Sequence, residues 1–306
     1  TGASVKIRGT GTFSSAGNGP LVLIDGLSGN IDDVSPEDIQ SISFLKDAAS
    51  ASIYGNRAAN GVILIETKKG STGKTTITYS NSFGWQKATE LPDFLSSWEF
   101  ATYYNEAMIN MGRQEAYTTE QIQKYQDGSD PDNYPNVNHL KWLLESGSGF
   151  QQRHTAGIQG GNDHTSYNFS LGYSKQDGMT DKTSNQRYTA LFTMKSEIAK
   201  GLILNLNMNA YGQEYKAPLG EPMSIDGMIG YAVRQGPIYA GKKSDGSFGY
   251  QDNYSPQAWM ASESFINNNS KKISASGQLN WETPVEGFSL SGKIGLSYYT
   301  TYDKTF

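Results

Sequence analysis

Cysteine is absent from the 306 residues, which removes a disulfide framework and any thiolate zinc site and leaves the redox compartment open. Cationic excess is missing too. With 25 Lys and Arg against 30 Asp and Glu, the formal net charge is -5, so a nucleic-acid partner, whose phosphates demand a basic stripe, is not expected. Long apolar runs are also lacking. The longest aliphatic stretches, Leu21 to Ile24 and Val62 to Ile65, are four residues each, far short of the ~20 that a membrane helix needs. Neither Met nor a hydrophobic leader opens the chain at Thr1, so it reads as a processed or truncated piece. Charged residues make up only 18%, against ~25% in ordinary domains. Their place is taken by 34 Gly and 19 Tyr together with Ser, Thr and Asn, which are strand and turn formers.

Residues 1–70 differ from the rest. The two aliphatic runs are bounded by Gly and Pro and read as strands buried on both faces, with a third strand over 42–45. Between them Ser35, Pro36 and Asp38 supply an N-cap, a first-turn proline and an acid at N3, which predicts a short helix. Asp47 predicts a second, over 48–54, stopped by Gly55. The expectation for residues 1–70 is a small α/β unit.

Residues 71–306 alternate instead. Tyr167, Phe169, Leu171 and Tyr173 share one face and Ser166, Asn168, Ser170 and Gly172 the other; Leu202, Leu204, Leu206 and Met208 likewise oppose Asn205, Asn207 and Asn209. Such period-two patterning predicts half-buried strands. Counting the weaker patterns over 75–85 and 153–160, seven strands are expected. Leu191 interrupts the polar face of its strand. Tight turns at 161–164, 199–201 and 284–287 alternate with long connections at 86–150, 175–186 and 212–270. Antiparallel order then gathers the long loops on one rim and the tight turns on the other, as in outer-membrane barrels. Strands of ~10 residues tilted ~45° rise about 23 Å, matching an apolar band ~25 Å tall. Trp85, Tyr173, Trp281 and Tyr298 suit interfacial girdles. The fold class expected is therefore β: a transmembrane antiparallel β-barrel over 71–306, incomplete because single-chain bacterial barrels have even strand numbers. A soluble β-sandwich also alternates, but gives no reason for 60-residue loops at one end only.

Within 86–150, Ser96 with Glu99 forms a capping box before Phe100, Tyr103, Tyr104, Ala107, Met108 and Met111 at helical spacing, and Gly112 stops the run. Thr118 with Gln121 starts a second helix that ends at Gly128. The aromatic stripe is read as packing against this partner helix. The loop 212–270, rich in Gly, Asn, Tyr and Ser, is expected to lie outside the barrel.

Three segments carry a resemblance: Val5-Lys6-Ile7-Arg8-Gly9, then Pro20 to Gly26 (PLVLIDG), then Pro36 to Gly70 with its KDAASASIYGNRAANGVILIETKKG. Together they resemble the plug domain of SusC/RagA-type TonB-dependent outer-membrane transporters. The likeness continues through Gly84-Trp85-Gln86-Lys87, Leu91-Pro92-Asp93 and 149–178, and fades after about residue 200. One departure falls at 136–145, where the family places an Asp-Trp pair soon after Pro-Asn and Trp142 here comes later. The resemblance implies a barrel of 22 strands, about seven of them in this chain, occluded by a plug domain over 1–70. It implies import of large nutrients, usually oligosaccharides and sometimes peptides, beneath a SusD-like lipoprotein. TonB supplies the energy in such proteins, through a segment absent here, and outer-membrane lipid surrounds the barrel.

Catalytic and cofactor signals are weak. Gly70 to Thr75 (GSTGKT) imitates a phosphate loop, but its first Gly is too close and a strand follows, so it reads as a linker. Gly9-Thr10-Gly11 lacks the third Gly of a dinucleotide fingerprint. His139, His154 and His164 lack metal-ligand spacing, and Asp127, Asp130 and Asp132 lack the EF-hand order, so a solvated acidic turn is expected. Neither enzyme activity nor a cofactor is expected. The candidate substrate contacts are Phe13, Ser14, Ser15 and Asn18 in a Gly/Ser-rich loop, with lumen-facing Arg187, Asn205 and Asn207. The alternative function is a soluble or surface-attached β-rich module stacking glycans on Tyr and Trp; detergent dependence separates the two.

Overall fold

The computed structural model describes residues 19–46, 52–218 and 224–306. A small sheet comprises β1 (Leu21–Ile24), β2 (Leu27–Ser28), β3 (Ile39–Leu45) and β4 (Val62–Thr67), in the order β2-β1-β4-β3. β1 and β4 are parallel, Leu21 opposite Val62 and Ile24 opposite Ile65. Alternate side chains therefore leave on opposite faces. Leu23 and Val62 pack with Ala58 on one, and Ile24, Ile63 and Ile65 with Val34 on the other. Two covered faces are why both strands are unbroken aliphatic runs. Val62 and Ile63 are 0% exposed, and each such burial contributes roughly 1.5–3 kcal/mol. Asp25 and Gly26, with φ of 46° and 79°, make the two-residue turn between β1 and β2, where left-handed backbone matches strand twist. The Asp25 carboxylate then accepts from Thr67 Oγ1 at 2.6 Å and Lys69 Nζ at 2.8 Å, fastening the end of β4.

The first of the two helices expected in this region is corrected. Pro36–Asp38 is a single 3-10 turn, because β3 pairs with β4 from Ile39 onward and strand pairing takes the residues the helix would need. Residues 47–51 lie outside the described residues, and Ser52–Ala58 is 3-10 backbone broken at Gly55, φ 65°, so Gly55 is a kink and not a stop.

The large sheet runs in chain order: β5 (Gly73–Trp85), β6 (Phe150–Gly161), β7 (Thr165–Asp177), β8 (Ser184–Ala199), β9 (Leu202–Pro218), β10 (Phe265–Glu282) and β11 (Ser289–Thr305). Seven strands pair antiparallel with their sequence neighbours, and β5 and β11 are the open edges. The register lines up one rung as Ile77, Ile158, Phe169, Phe192, Met208, Ala275 and Leu296. The next rung, on the opposite face, is Thr78, Gly157, Ser170, Leu191, Asn209, Ser274 and Ser297. Ile77 and Leu296 are 77% and 72% exposed, whereas Ser170 and Leu191 are 5% and 2% exposed. The apolar face is thus outside and the polar face inside. A soluble sandwich buries its apolar faces, so that alternative is set aside; a lipid-facing wall requires this inversion. Leu191 breaks the polar pattern where the wall is covered: the Lys68 carbonyl accepts from Thr193 Oγ1 at 3.0 Å and Asn168 Nδ2 at 3.4 Å.

The loops shrink relative to the sequence reading. The connection read as 212–270 is 219–264, and that read as 175–186 is 178–183. Beyond Ala210 the apolar alternation stops while ladder hydrogen bonds continue to Pro218 opposite Phe265, because strand pairing does not end where lipid does. Neither of the two longest loops is featureless. The connection 86–149 holds α1 (Ser97–Asn110), α2 (Thr119–Asp127) and α3 (His139–Leu144), and 219–264 holds α4 (Ile225–Arg234) and α5 (Pro256–Ala261). Both expected capping boxes are present, at Ser96 with Glu99 and Thr118 with Gln121. The Tyr104, Tyr117, Tyr125 and Tyr134 rings meet edge to face, linking α1 to α2. Leu140 and Leu143 of α3 share a buried cluster with Met228, Ala232 and Met260 of α4 and α5, so the two long loops form one body. His139 Nε2 donates to the Tyr239 carbonyl at 3.1 Å across that junction, and burial holds its imidazole below the usual histidine range.

Gly70, in the linker, lies so close to β7 that a Cβ there would overlap the Tyr167 backbone. Gly70→Ala should cost about 1–3 kcal/mol through this overlap, read as a lower unfolding temperature of the folded barrel. An unchanged temperature would contradict the close approach.

Candidate functional site

Between the small sheet and the inner face of β5 to β8 lies a cavity of about 730 Å³. Its floor is the segment 31–36 with Ile39 and Ile42; its walls include residues 151–155, 172–176, Asn185 and Arg187. These wall residues adjoin the strand ends at Phe150, Asp177 and Ser184, so the cavity opens toward the long-loop rim.

Charged ties fix the floor to the wall. Arg153 Nη1 meets Glu37 Oε1 at 2.7 Å. Arg187 donates to the Asp32 carbonyl and, at 2.9 Å, to Gln213 Oε1, with its guanidinium 4.2 Å from the Tyr211 ring centroid. Lys272 Nζ reaches Asp33 Oδ2 at 2.5 Å, the two side chains 12% and 4% exposed. Lower down, Lys69 Nζ bridges Asp25 Oδ1 at 2.8 Å and Asn207 Oδ1 at 2.9 Å, and Lys293 Nζ donates to the Asp25 carbonyl at 2.5 Å. At the upper wall, Gln151 and Gln176 both donate to Gln86 Oε1, at 3.2 and 3.1 Å. The lining thus offers hydrogen-bond donors and acceptors whose formal charges are mostly answered.

Glu37 has competing influences. Burial pushes its carboxyl up, but hydrogen bonds from Ser35 and Arg153 together outweigh it and hold it below the usual range. The neighbouring Asp38 is pushed up by burial despite the Ser170 hydroxyl and the Lys68 charge. A depressed carboxylate stabilises the folded arrangement above its free pKa and loses that contribution as pH falls through its folded value. Acidification from about pH 6 to 3 should therefore loosen the Glu37–Arg153 tie. Lower amide protection in β3 at the acid end, after correction for the intrinsic pH dependence of exchange, should report this, and Glu37→Gln should remove that pH-dependent component; an identical profile in the variant would contradict it.

Of the sequence-predicted residues, Arg187 lines the cavity. Asn207 instead lines a narrow crevice with Asp25, Gly29 and Ser276, held by Lys69 and, at 3.5 Å, by Ser276 Oγ. Asn205 pairs across to Lys195 and Gln278 near the tight-turn rim, away from the cavity. Phe13, Ser14, Ser15 and Asn18 lie outside the described residues. Arg153, Glu37, Gln151 and Gln176 were not singled out by sequence; for Arg153, Gln151 and Gln176 the one available signal was their place in a wall strand beside a long loop, and Glu37, in the turn Pro36–Asp38, carried none. The histidines are dispersed: His154 faces outward, its Nδ1 2.8 Å from Tyr79 Oη, His164 sits 3.5 Å from Glu197 at a turn, and His139 joins the loops. Asp127, Asp130 and Asp132 accept from Ser129, Asn133 and Ser244. Among the described residues no group of three His, Cys, Asp or Glu converges on one point.

Residues 1–62 match the family described as TonB-dependent Receptor Plug Domain. The chain is 32% identical over 204 residues to TonB-dependent receptor P3 of Formosa agariphila, covering 67% of this chain and 18% of that protein. It is 30% identical over 248 residues to TonB-dependent receptor SusC of Bacteroides thetaiotaomicron, covering 74% of this chain and 22% of that one. The chain therefore spans about a fifth of the length of these curated relatives. A solved structure of the RagAB peptide transporter superposes with a TM-score of 0.78 at 24% identity, covering 99% of this chain and 37% of its own; this likeness is one of fold. With the plug match, the inverted wall and these relatives together, the chain belongs to the SusC/RagA-type TonB-dependent receptors, β-barrel proteins of the outer membrane.

Proposed function

We propose that the cavity is the plug-side part of a path by which the full-length protein imports large nutrients across the outer membrane, oligosaccharides foremost. The observation that carries this reading is a polar cavity open toward the loops and floored by the plug. Arg153 is answered by Glu37 at 2.7 Å, while glutamine amides remain, a lining suited to neutral polyhydroxylated ligands. The relative named SusC and the other TonB-dependent receptors support import as the general activity. Peptides are the second reading, favoured by the fold likeness to a peptide transporter.

On this reading residues 1–70 are the plug and 71–306 the first part of the barrel. A SusD-like lipoprotein covers the loop body, and TonB supplies energy. Phe13, Ser14, Ser15 and Asn18 touch substrate from the plug, and Arg187 from the wall; Asn205 and Asn207 line the route below. Replacing 13–18 by a Gly-Ser linker in the full-length protein should abolish ligand binding and leave barrel assembly intact. Unchanged uptake would sink this assignment.

A further inference from the structure

The outer face of the wall carries two recesses, one above the other, that the import path does not use. The lower is an apolar groove of about 450 Å³ whose floor includes Ala156, Ala190 and Ala210, with the rings of Tyr79, Tyr173 and Tyr188 beside it. The upper, about 710 Å³, is polar, with Ser184, Lys216 and Asn267 among its lining. They share one face. Lys216 lies four residues above Gly212 on β9, about 13 Å along the strand.

Between them runs the rung His154, Tyr173, Tyr188, Gly212, Lys271 and Thr300. Gly212 leaves a gap in this shelf, and the stem of Lys271 borders the gap, its Cγ 4.0 Å from where a Cβ on Gly212 would stand. Nearby cations are occupied: Lys175 by Asp177 and Lys216 by Glu214, each at 3.1 Å, and Lys182 by the Ser262 carbonyl at 2.7 Å. Lys271 is exposed and, among the described residues, has no carboxylate within ion-pair distance.

A hydrocarbon slot, an unanswered cation at the level of the aromatic shelf and a polar recess above follow the order of parts in one amphiphile. Cations near a membrane surface attract anionic headgroups. We propose that this notch holds one phosphate-bearing glycolipid of the surrounding membrane. One acyl chain lies over Ala156, Ala190 and Ala210, the phosphate sits on Lys271 and the sugar occupies the upper recess. The inference rests on the barrel reading and not on the import reading.

The test is native mass spectrometry of the full-length protein in neutral detergent, with lipid A as probe and phosphatidylcholine as comparison. Wild type should retain one lipid A in preference to phosphatidylcholine. Lys271→Glu should weaken retention about tenfold or more, reversal of one charge counting roughly twice, and Ala210→Phe, which fills the slot, should weaken it comparably. Lys200→Glu, in the exposed turn between β8 and β9 at the opposite rim, should not. Equal retention of both lipids by wild type, or retention of lipid A by both variants as in wild type, would overturn the proposal. So would a dimer that Ala210→Phe dissociates, which would seat a second copy on the notch. Uptake measured on the same variants should be unchanged, so the lipid site and the import reading fail independently.

Discussion

Asp33→Ala should loosen the plug from the wall by about 3–5 kcal/mol, the range for removing one partner of a buried ion pair. Lys272, only 12% exposed, would be left facing the plug without its carboxylate 2.5 Å away. Asp33 also accepts from the Asn30 amide at 2.8 Å, so the turn that carries Asp32 to Arg187 would lose its own brace. The expected readout is proteolytic cleavage within the plug at temperatures where wild type resists. Lys272→Met combined with Asp33→Ala should recover much of the loss, because replacing both charges leaves no stranded cation. If the single variant resisted protease as wild type does, the ion pair would not be a fastening.

The second large effect concerns the outer face. Leu206 stands in the rung Tyr167, Met194, Leu206, Gly277 and Ile294, midway between the Trp281 rung and the Tyr188 shelf. From Leu202 to Gly212 the wall rises about 23 Å at a 45° tilt, which puts Leu206 near the bilayer centre. Leu206→Arg should destabilise the vesicle-inserted barrel by about 2–4 kcal/mol. On a water-exposed surface the same change would be worth within about 0.5 kcal/mol. Gln278→Arg, on the inner face one strand away, should fall near that smaller value. Equal effects at the two positions would contradict a lipid-facing exterior.

The wall was legible because a period of two reports burial directly, and Leu204 to Ala210 alternate without interruption. Strand ends were not: from Gly212 to Lys216 both faces are polar, yet the ladder to β10 continues, and hydrogen bonding leaves no mark on side-chain pattern. α1 and α2 announced themselves through capping boxes, whereas α3 has an Asn138 cap without one and gains its stability from contacts with α4 and α5. The plug's Ser35-Pro36 signal was real as a turn and wrong as a helix, since pairing of β3 with β4 outweighed local preference. In the site, Arg187 could be picked from its strand. The Arg153–Glu37 tie could not, because it joins residues 116 apart through the curvature of the wall around the plug.

The central claim is the inversion of faces, and the absence of cysteine from these residues makes it directly measurable. Single cysteines placed at each position from Leu202 to Ala210, in the full-length protein cleared of other cysteines, can be labelled by a membrane-impermeant maleimide in vesicles. A fluorophore at each position can also be tested with a lipid-soluble quencher. The account predicts strict alternation: even positions quenched by lipid and slow to react with aqueous maleimide, odd positions unquenched. Odd positions quenched as strongly as even ones, or even positions labelled freely from water, would contradict it.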